Sequence, residues 1–233
     1  MTTAGVAAVG ETAEFQFSEE NRAAAERIIA RYPAGRQASA VMPLLDLAQR
    51  QSANWLPRAA IDAVARMVGI PPVRVLEVAT FYTMYRHQPV GRHLVQVCTT
   101  TPCWLRGSDQ IVSACERKLG IHMGETTADG QFTLGEVECA GACVNAPVVQ
   151  IGDDYYEDLD PASIERILDA LARGETPKPG SQTGRQTSCP QGGPTSLTAV
   201  PVRVVAAPEP EVVAPAPVPA PAEPAVAAAA AVV

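Results

Sequence analysis

The stretch 93-HLVQVCTTTPC-103 decides the fold. Residues 93–98 alternate in polarity and favour a strand, and the chain leaves that strand through Cys98, three threonines, Pro102 and Cys103. A second segment, 132-FTLGEVE-138, reads less cleanly as a strand and runs into 139-CAGAC-143. The two cysteine pairs, C-x4-C and C-x3-C, are separated by 35 residues, and each follows a strand. If the strands are neighbours, four thiols converge at one end of a sheet. Soft, negative thiolates suit ferric iron, so this pattern points to an iron–sulfur centre. Zinc on four cysteines stays open on spacing alone, because the x4 arm is compatible with it and only the x3 arm is less so.

Neighbouring residues fit a cluster. Gly141 can take positive φ and let the backbone wrap closely, while Ala140 and Ala142 leave room for inorganic sulfide. Thr99, Thr100 and Thr101 bring N–H groups within reach of sulfur, and Pro102 fixes the approach to Cys103, which is expected to open a helix over 104–119. Glu136 and Glu138 oppose an added electron, which predicts a low-potential centre.

The rest of the chain narrows the setting. Its 233 residues are 47% apolar and 18% charged, with a net charge of −7. That balance argues against nucleic acid or anionic lipid as partner. No apolar run reaches the ~18–20 residues needed to span a bilayer. Met1 is followed by Glu11, Glu14, Glu19 and Glu20 rather than a basic start, which predicts a cytoplasmic, bacterial-like chain or one whose presequence is absent from this sequence. Six cysteines are too few to staple this length by disulfides, and no C-x-x-C redox pair is present. No dinucleotide fingerprint, phosphate loop or Ser-His-Asp set is found, so no catalytic residue is assigned and no NAD or flavin site is expected on this chain.

Three regions follow from composition: helices over 15–89, an α/β domain over 90–175 and a Pro/Ala-rich flexible tail over 176–233. Helix starts are read at Ser18 and after Pro57 and Pro71-Pro72, and stops at Pro33-Gly35 and Gly69. Tyr82 is placed on the inward stripe of the fourth helix with Val75, Val78 and Ala79. In the second region the order is β-α-β-β-β-α, with a hairpin across Gly152-Asp153 and a last helix capped by Asp160. The tail holds twelve of the 21 prolines, and its lack of apolar periodicity leaves nothing to offset the entropy of ordering.

Residues outside the quartet receive plainer readings. Cys115 shares a helical face with Ile111, Val112 and Leu119 and reads as a core residue, and Cys189 as a free thiol in the tail. His87, His93 and His122 have no ligand spacing and are placed at the surface or in turns. Phe81, Tyr82 and Tyr85 read as core or interface. Arg86, His87, Arg92 and Arg106 form a basic patch, read as a solvated face before a docking face.

These residues resemble a known family. Val78-Ala79-Thr80-Phe81-Tyr82-Thr83-Met84-Tyr85 with Pro89 and Gly91, the motif Cys98–Cys103, the motif Glu138–Cys143, Asn145-Ala146-Pro147 and Tyr155-Tyr156 are similar to the thioredoxin-like 2Fe–2S subunits of NADH dehydrogenases. The resemblance covers about 15–175. It implies an α+β fold, a helical bundle followed by a thioredoxin-like ferredoxin domain, and one 2Fe–2S cluster on Cys98, Cys103, Cys139 and Cys143. It further implies a subunit of respiratory complex I that exchanges electrons with FMN. The FMN and NADH would lie on a flavoprotein partner that also carries a 4Fe–4S cluster, alongside the large iron–sulfur subunit of the peripheral arm. The place implied is the cytoplasmic face of a bacterial inner membrane. Related subunits serve NAD-linked formate dehydrogenases and NAD-reducing hydrogenases, and these remain the alternative.

Overall fold

The computed structural model describes residues 14–193 and 195–196. Helix α1 (Glu19–Ile29) starts where Ser18 Oγ accepts the Asn21 N–H at 3.2 Å, with Glu19 and Glu20 at the positive end of its dipole. A short 3₁₀ turn leads into α2 (Val41–Gln51), which buries Val41, Leu44, Leu45 and Ala48. Helix α3 (Arg58–Val68) follows Pro57 and ends at Gly69, whose φ of 71° supplies the left-handed stop. Helix α4 (Pro72–Phe81) begins on its own proline.

These helices share one core around Leu44, Leu45, Ile61, Val64, Val75 and Ala79, closed by Tyr85. Each buried Leu or Ile contributes about 1.5–3 kcal/mol. The Tyr85 hydroxyl donates to the Met42 carbonyl at 2.9 Å, so its polar end is satisfied inside that core.

The second part is built on a five-stranded mixed sheet. Strands β1 (His93–Cys98), β2 (Phe132–Val137), β3 (Val149–Ile151), β4 (Asp154–Glu157) and β5 (Gly180–Ser181) lie in the order β2-β1-β3-β4-β5. β1 runs parallel to β2 and antiparallel to β3, and β3 and β4 form the hairpin across Gly152-Asp153. Gly91 makes the entry to β1 possible, because a Cβ there would sit 2.8 Å from the Phe132 backbone carbon. Helices α6 (Ser108–Leu119) and α7 (Pro161–Ala172) cover one face. Ile111, Ala114 and Cys115 from α6 meet Ile164, Ile167 and Leu168 from α7 over Val95, Val97, Leu134 and Val149. Asp160 and Ser163 form a reciprocal capping box at the start of α7.

Four expectations change. The helix expected over 104–119 is two: α5 (Thr101–Leu105) and α6, separated where Gly107 turns at φ 93°. Cys103 therefore lies inside a one-turn helix rather than opening a long one. Tyr82 leaves the inward stripe, since α4 ends at Phe81 and Tyr82 is extended and exposed. His93 is a half-buried strand residue whose ring lies 5.3 Å from that of Phe132; its Nε2 is buried without a hydrogen-bond partner among the described residues. Burial, and then the charge of Arg92, hold its pKa below the usual histidine value.

The fourth change concerns the stretch assigned to the tail. Residues 176–193 include β5, which pairs in parallel with β4, and Arg185 forms a buried ion pair with Asp158. The tail expectation for residue 194 and for 197–233 lies outside the described residues.

Candidate metal centre

The parallel pairing sets Cys98 opposite Val137, so both cysteine motifs begin at the same edge of the sheet. Cys98 and Cys103 are buried, in a small apolar cluster with Ala146 and Val148 that Val137, Ala140, Ala142 and Tyr155 border. Cys139 and Cys143 are exposed on the rim. Their sulfurs are 3.7 Å apart. Cys98 and Cys103 lie together in that buried cluster, near enough to each other and to Cys143 for the three thiols to influence one another's protonation. The four thus sit as two pairs in one neighbourhood. Among the described residues, no three Cys, His, Asp or Glu side chains are gathered tightly enough to hold a single metal ion.

The protonation chemistry is uneven. Burial raises the Cys98 thiol. Hydrogen bonds from the Thr100 hydroxyl, the Ala140 N–H, the Cys103 thiol and the Thr100 N–H outweigh burial and hold it below the ordinary value. Cys103 is pushed up to about 12, by burial first and then by its bond to Cys98. One partner of the buried pair thus favours the thiolate while the other keeps its proton. Cys143 is raised, chiefly by its contact with Cys139. As a neutral thiol Cys98 donates to the Glu138 carbonyl at 2.9 Å.

The backbone around the pairs is fixed from several sides. Gly141 has φ 77°, a value that L side chains avoid, and nothing lies where its Cβ would be. Conformation, not space, demands glycine here. Tyr155 on β4 donates its hydroxyl to the Ala140 carbonyl at 3.0 Å. Thr99 donates to the Glu136 carboxylate and so ties the ends of β1 and β2 together. Glu136 and Glu138 are both exposed, and water screens their charge. A short 3₁₀ turn (Cys143–Asn145) and a cis Ala146–Pro147 bond carry the chain back into β3.

Other singled-out residues fall away from this edge. Cys115 is fully buried in the α6–α7 core, where desolvation first, then Glu165 and Glu116, push its thiol up to about 12. His87 bonds the Ala79 carbonyl at 3.0 Å, and His122 faces Glu116 at 3.3 Å. The basic patch divides. Arg106 follows α5 at the cysteine edge, whereas Arg92 precedes β1 at its opposite end. Trp104, Leu105 and Val144, each adjacent to a cysteine of the quartet or one residue beyond, are largely exposed on the rim.

Asn145, Asp158 and Arg185 belong to the surroundings of this edge; only Asn145 stands in a quoted motif, Asn145-Ala146-Pro147, and no local pattern announces what any of the three binds. Their partners are up to 42 residues away along the chain, beyond the reach of any local pattern.

Four thiols at one edge of a helix-covered mixed sheet fit the class of thioredoxin-like ferredoxins. Residues 25–172 match the thioredoxin-like [2Fe-2S] ferredoxin family, and the chain belongs to it. It is 58% identical over 157 residues to a subunit of the NADH-quinone oxidoreductase of Rickettsia conorii, covering 67% of this chain and 94% of the relative. With the mitochondrial NADH dehydrogenase [ubiquinone] flavoprotein 2 of Dictyostelium discoideum it shares 50% identity over 192 residues, 82% of this chain and 78% of the other. Among solved structures, an NAD+-reducing [NiFe]-hydrogenase in the H2-reduced state aligns with a TM-score of 0.50 at 23% identity. That match covers 58% of this chain and only 23% of the hydrogenase chain, and shows the fold alone.

Proposed function

We propose that this chain is the electron-transfer subunit of an NADH:quinone oxidoreductase, with one 2Fe–2S cluster held by Cys98, Cys103, Cys139 and Cys143. The observation that carries the reading is the arrangement of the thiols. A binuclear cluster takes two protein ligands per iron, so two close pairs in one neighbourhood suit it. A structural zinc ion needs four donors on one centre, and two separate pairs suit that less well. When bound, such a cluster supplies a one-electron store; this chain makes and breaks no substrate bond.

The chain's residues hold and present that store. Cys98 and Cys103 anchor it on the buried side, and the exposed Cys139 and Cys143 leave its outer side open to a partner. The Thr100 and Ala140 N–H groups favour the negative charge of the Cys98 thiolate at the buried side. Separate hydrophobic cores support the division into a helical region over 15–89 and a ferredoxin domain over 90–175.

The partners in this reading are a flavoprotein subunit carrying FMN and NADH, and the large iron–sulfur subunit beside it. No described helix is long and apolar enough to cross a membrane. A place on the cytoplasmic face of a bacterial inner membrane would therefore come through those partners. The alternative parent, an NAD-linked formate dehydrogenase or NAD-reducing hydrogenase, is weaker: oxidoreductase relatives stand at 50–58% identity, against 23% for the hydrogenase.

Anaerobic purification followed by iron and sulfide analysis, spectroscopy of the reduced protein and identification of co-purifying subunits tests the reading. Two irons and two sulfides per chain, a 2Fe–2S resonance on reduction, and a flavoprotein partner are expected. Zinc without sulfide would overturn the cluster. Nickel or molybdenum subunits in place of quinone-reducing ones would overturn the parent enzyme.

A further inference from the structure

The family match ends at residue 172, yet the chain beyond it returns to the cysteine edge. Arg185 grips Asp158 with both arms, Nε to Oδ2 at 3.0 Å and Nη2 to Oδ1 at 2.6 Å. Their side chains are only 7% and 4% exposed. Ser181 Oγ donates to the same carboxylate at 2.6 Å. From there the ties run directly to the second cysteine motif. The Asp158 N–H donates to the Asn145 carbonyl at 2.7 Å. Asn145, two residues past Cys143, is buried, and its Nδ2 donates to Glu157 at 2.7 Å and to the Thr187 carbonyl at 2.8 Å.

Two features set these ties apart from ordinary packing. Asp158 and Thr187 hold left-handed φ values of 52° and 49°; aspartate tolerates this region, but the β-branched Thr187 adopts it only where its surroundings impose it. A buried ion pair also adds little stability over an apolar pair of similar volume, because desolvation offsets the attraction. Stability alone therefore accounts poorly for Arg185 and Asp158. What the pair does is fix direction: it sets the position of Asp158, and through Asp158 that of Asn145.

We infer that residues 180–189 form a strap that positions the second cysteine loop, with Arg185 and Asp158 as its positioning residues. Cys139 and Cys143 are exposed and separated only by Ala140, Gly141 and Ala142, whose side chains are too small to pack the loop in place by themselves. Tyr155 restrains the loop at Ala140, and the strap restrains it past Cys143. The inference rests on the proposal that these thiols are cluster ligands.

The test uses the full-length chain purified with its cluster, comparing wild type with Arg185→Lys, Arg185→Met and the double variant Arg185→Met/Asp158→Asn. Asparagine tolerates the left-handed φ at 158 and still accepts the Ser181 hydroxyl, so the neutral double variant stays folded even where Arg185→Met alone leaves a buried charge and unfolds. With a thermal midpoint like wild type, the double variant is expected to lose cluster absorption to a chelator about 10-fold faster, in line with other outer-shell ligand supports. In the cluster-free chain its Cys139 and Cys143 are expected to be alkylated faster, with Cys98 and Cys103 unchanged, and Arg185→Lys to fall between. Wild-type rates for both chelation and alkylation in a folded double variant would overturn the strap. A wild-type chain without two irons would sink the ligand reading instead, and amide exchange over 139–147 in the cluster-free double variant would then decide the strap: faster exchange supports it, and wild-type exchange overturns it.

Discussion

Cys98 stands opposite Val137 in the parallel pairing of β1 and β2. The two strands end level, so two motifs 35 residues apart leave the sheet side by side. The expected consequence is that the quartet acts as a unit. Replacing any one of Cys98, Cys103, Cys139 or Cys143 by Ala should abolish the 2Fe–2S resonance of the reduced protein, while Cys115→Ala and Cys189→Ala retain it. A full signal after loss of one quartet member would remove that residue from the ligand set.

Gly91 should be intolerant of even a methyl group. A Cβ would meet Phe132 backbone atoms at 2.8 and 2.9 Å, and backbone cannot move aside as a side-chain tip can. The Gly91 N–H also donates to Thr133 Oγ1 at 2.6 Å, fixing the approach of the chain to β2. Gly91→Ala is expected to destabilise by about 1–3 kcal/mol, the range for overpacking. Urea unfolding reads this as a lower midpoint with an unchanged slope. An unchanged midpoint would mean that β1 can shift away from β2.

Much of this frame is legible in local pattern. The strand at 93–98, the hairpin across Gly152-Asp153 and the helix stops at Gly69 and Pro33 follow from alternation, turn residues and left-handed glycine, all properties of a few adjacent residues. The placement of both cysteine motifs at one edge follows once β1 and β2 are neighbours. What escapes depends on distant partners. Tyr82 fits the helical stripe by spacing, but the helix ends one residue earlier and the stripe with it. His93 is polar and so reads as exposed, yet stacking on Phe132 draws it in. The stretch 176–193 reads as tail because its order comes from Asp158 and Asn145, which its own composition does not announce.

The α7 cap gives a pH-dependent prediction. Asp160 Oδ1 accepts the Ser163 N–H at 2.7 Å, and its bonds with Ser163 hold the carboxyl below its usual range. Asp160→Ala is expected to destabilise by about 1 kcal/mol at neutral pH. Because the folded pKa lies below the unfolded one, the contribution is fully present above about pH 4 and fades as pH falls through the lowered value. Wild type and variant should therefore converge in urea midpoint in acid. A difference that persists or grows there would show that the side chain acts through packing rather than as a charged cap.

Thiol reactivity should separate the cysteines by environment. Alkylation follows the thiolate fraction and access. Cys115 fails on both counts, being fully buried with its thiol pushed up to about 12. Cys103 is buried and similarly raised. Cys139 and Cys143 are exposed, and Cys189 is partly so. In the folded, cluster-free chain, mass spectrometry after a short pulse of iodoacetamide should find label on Cys139 first, on Cys143 after it because its thiol is raised, and on Cys115 last. Label on Cys115 should appear only as denaturant opens the α6–α7 core, with the same midpoint as global unfolding. In the cluster-loaded chain the two rim cysteines should become protected while Cys189 does not, since ligation occupies the sulfur lone pairs that attack the reagent. Equal labelling of Cys139 and Cys189 in the loaded protein would show that the rim pair is free, and would leave the buried pair with too few thiolates for a cluster held entirely by this chain.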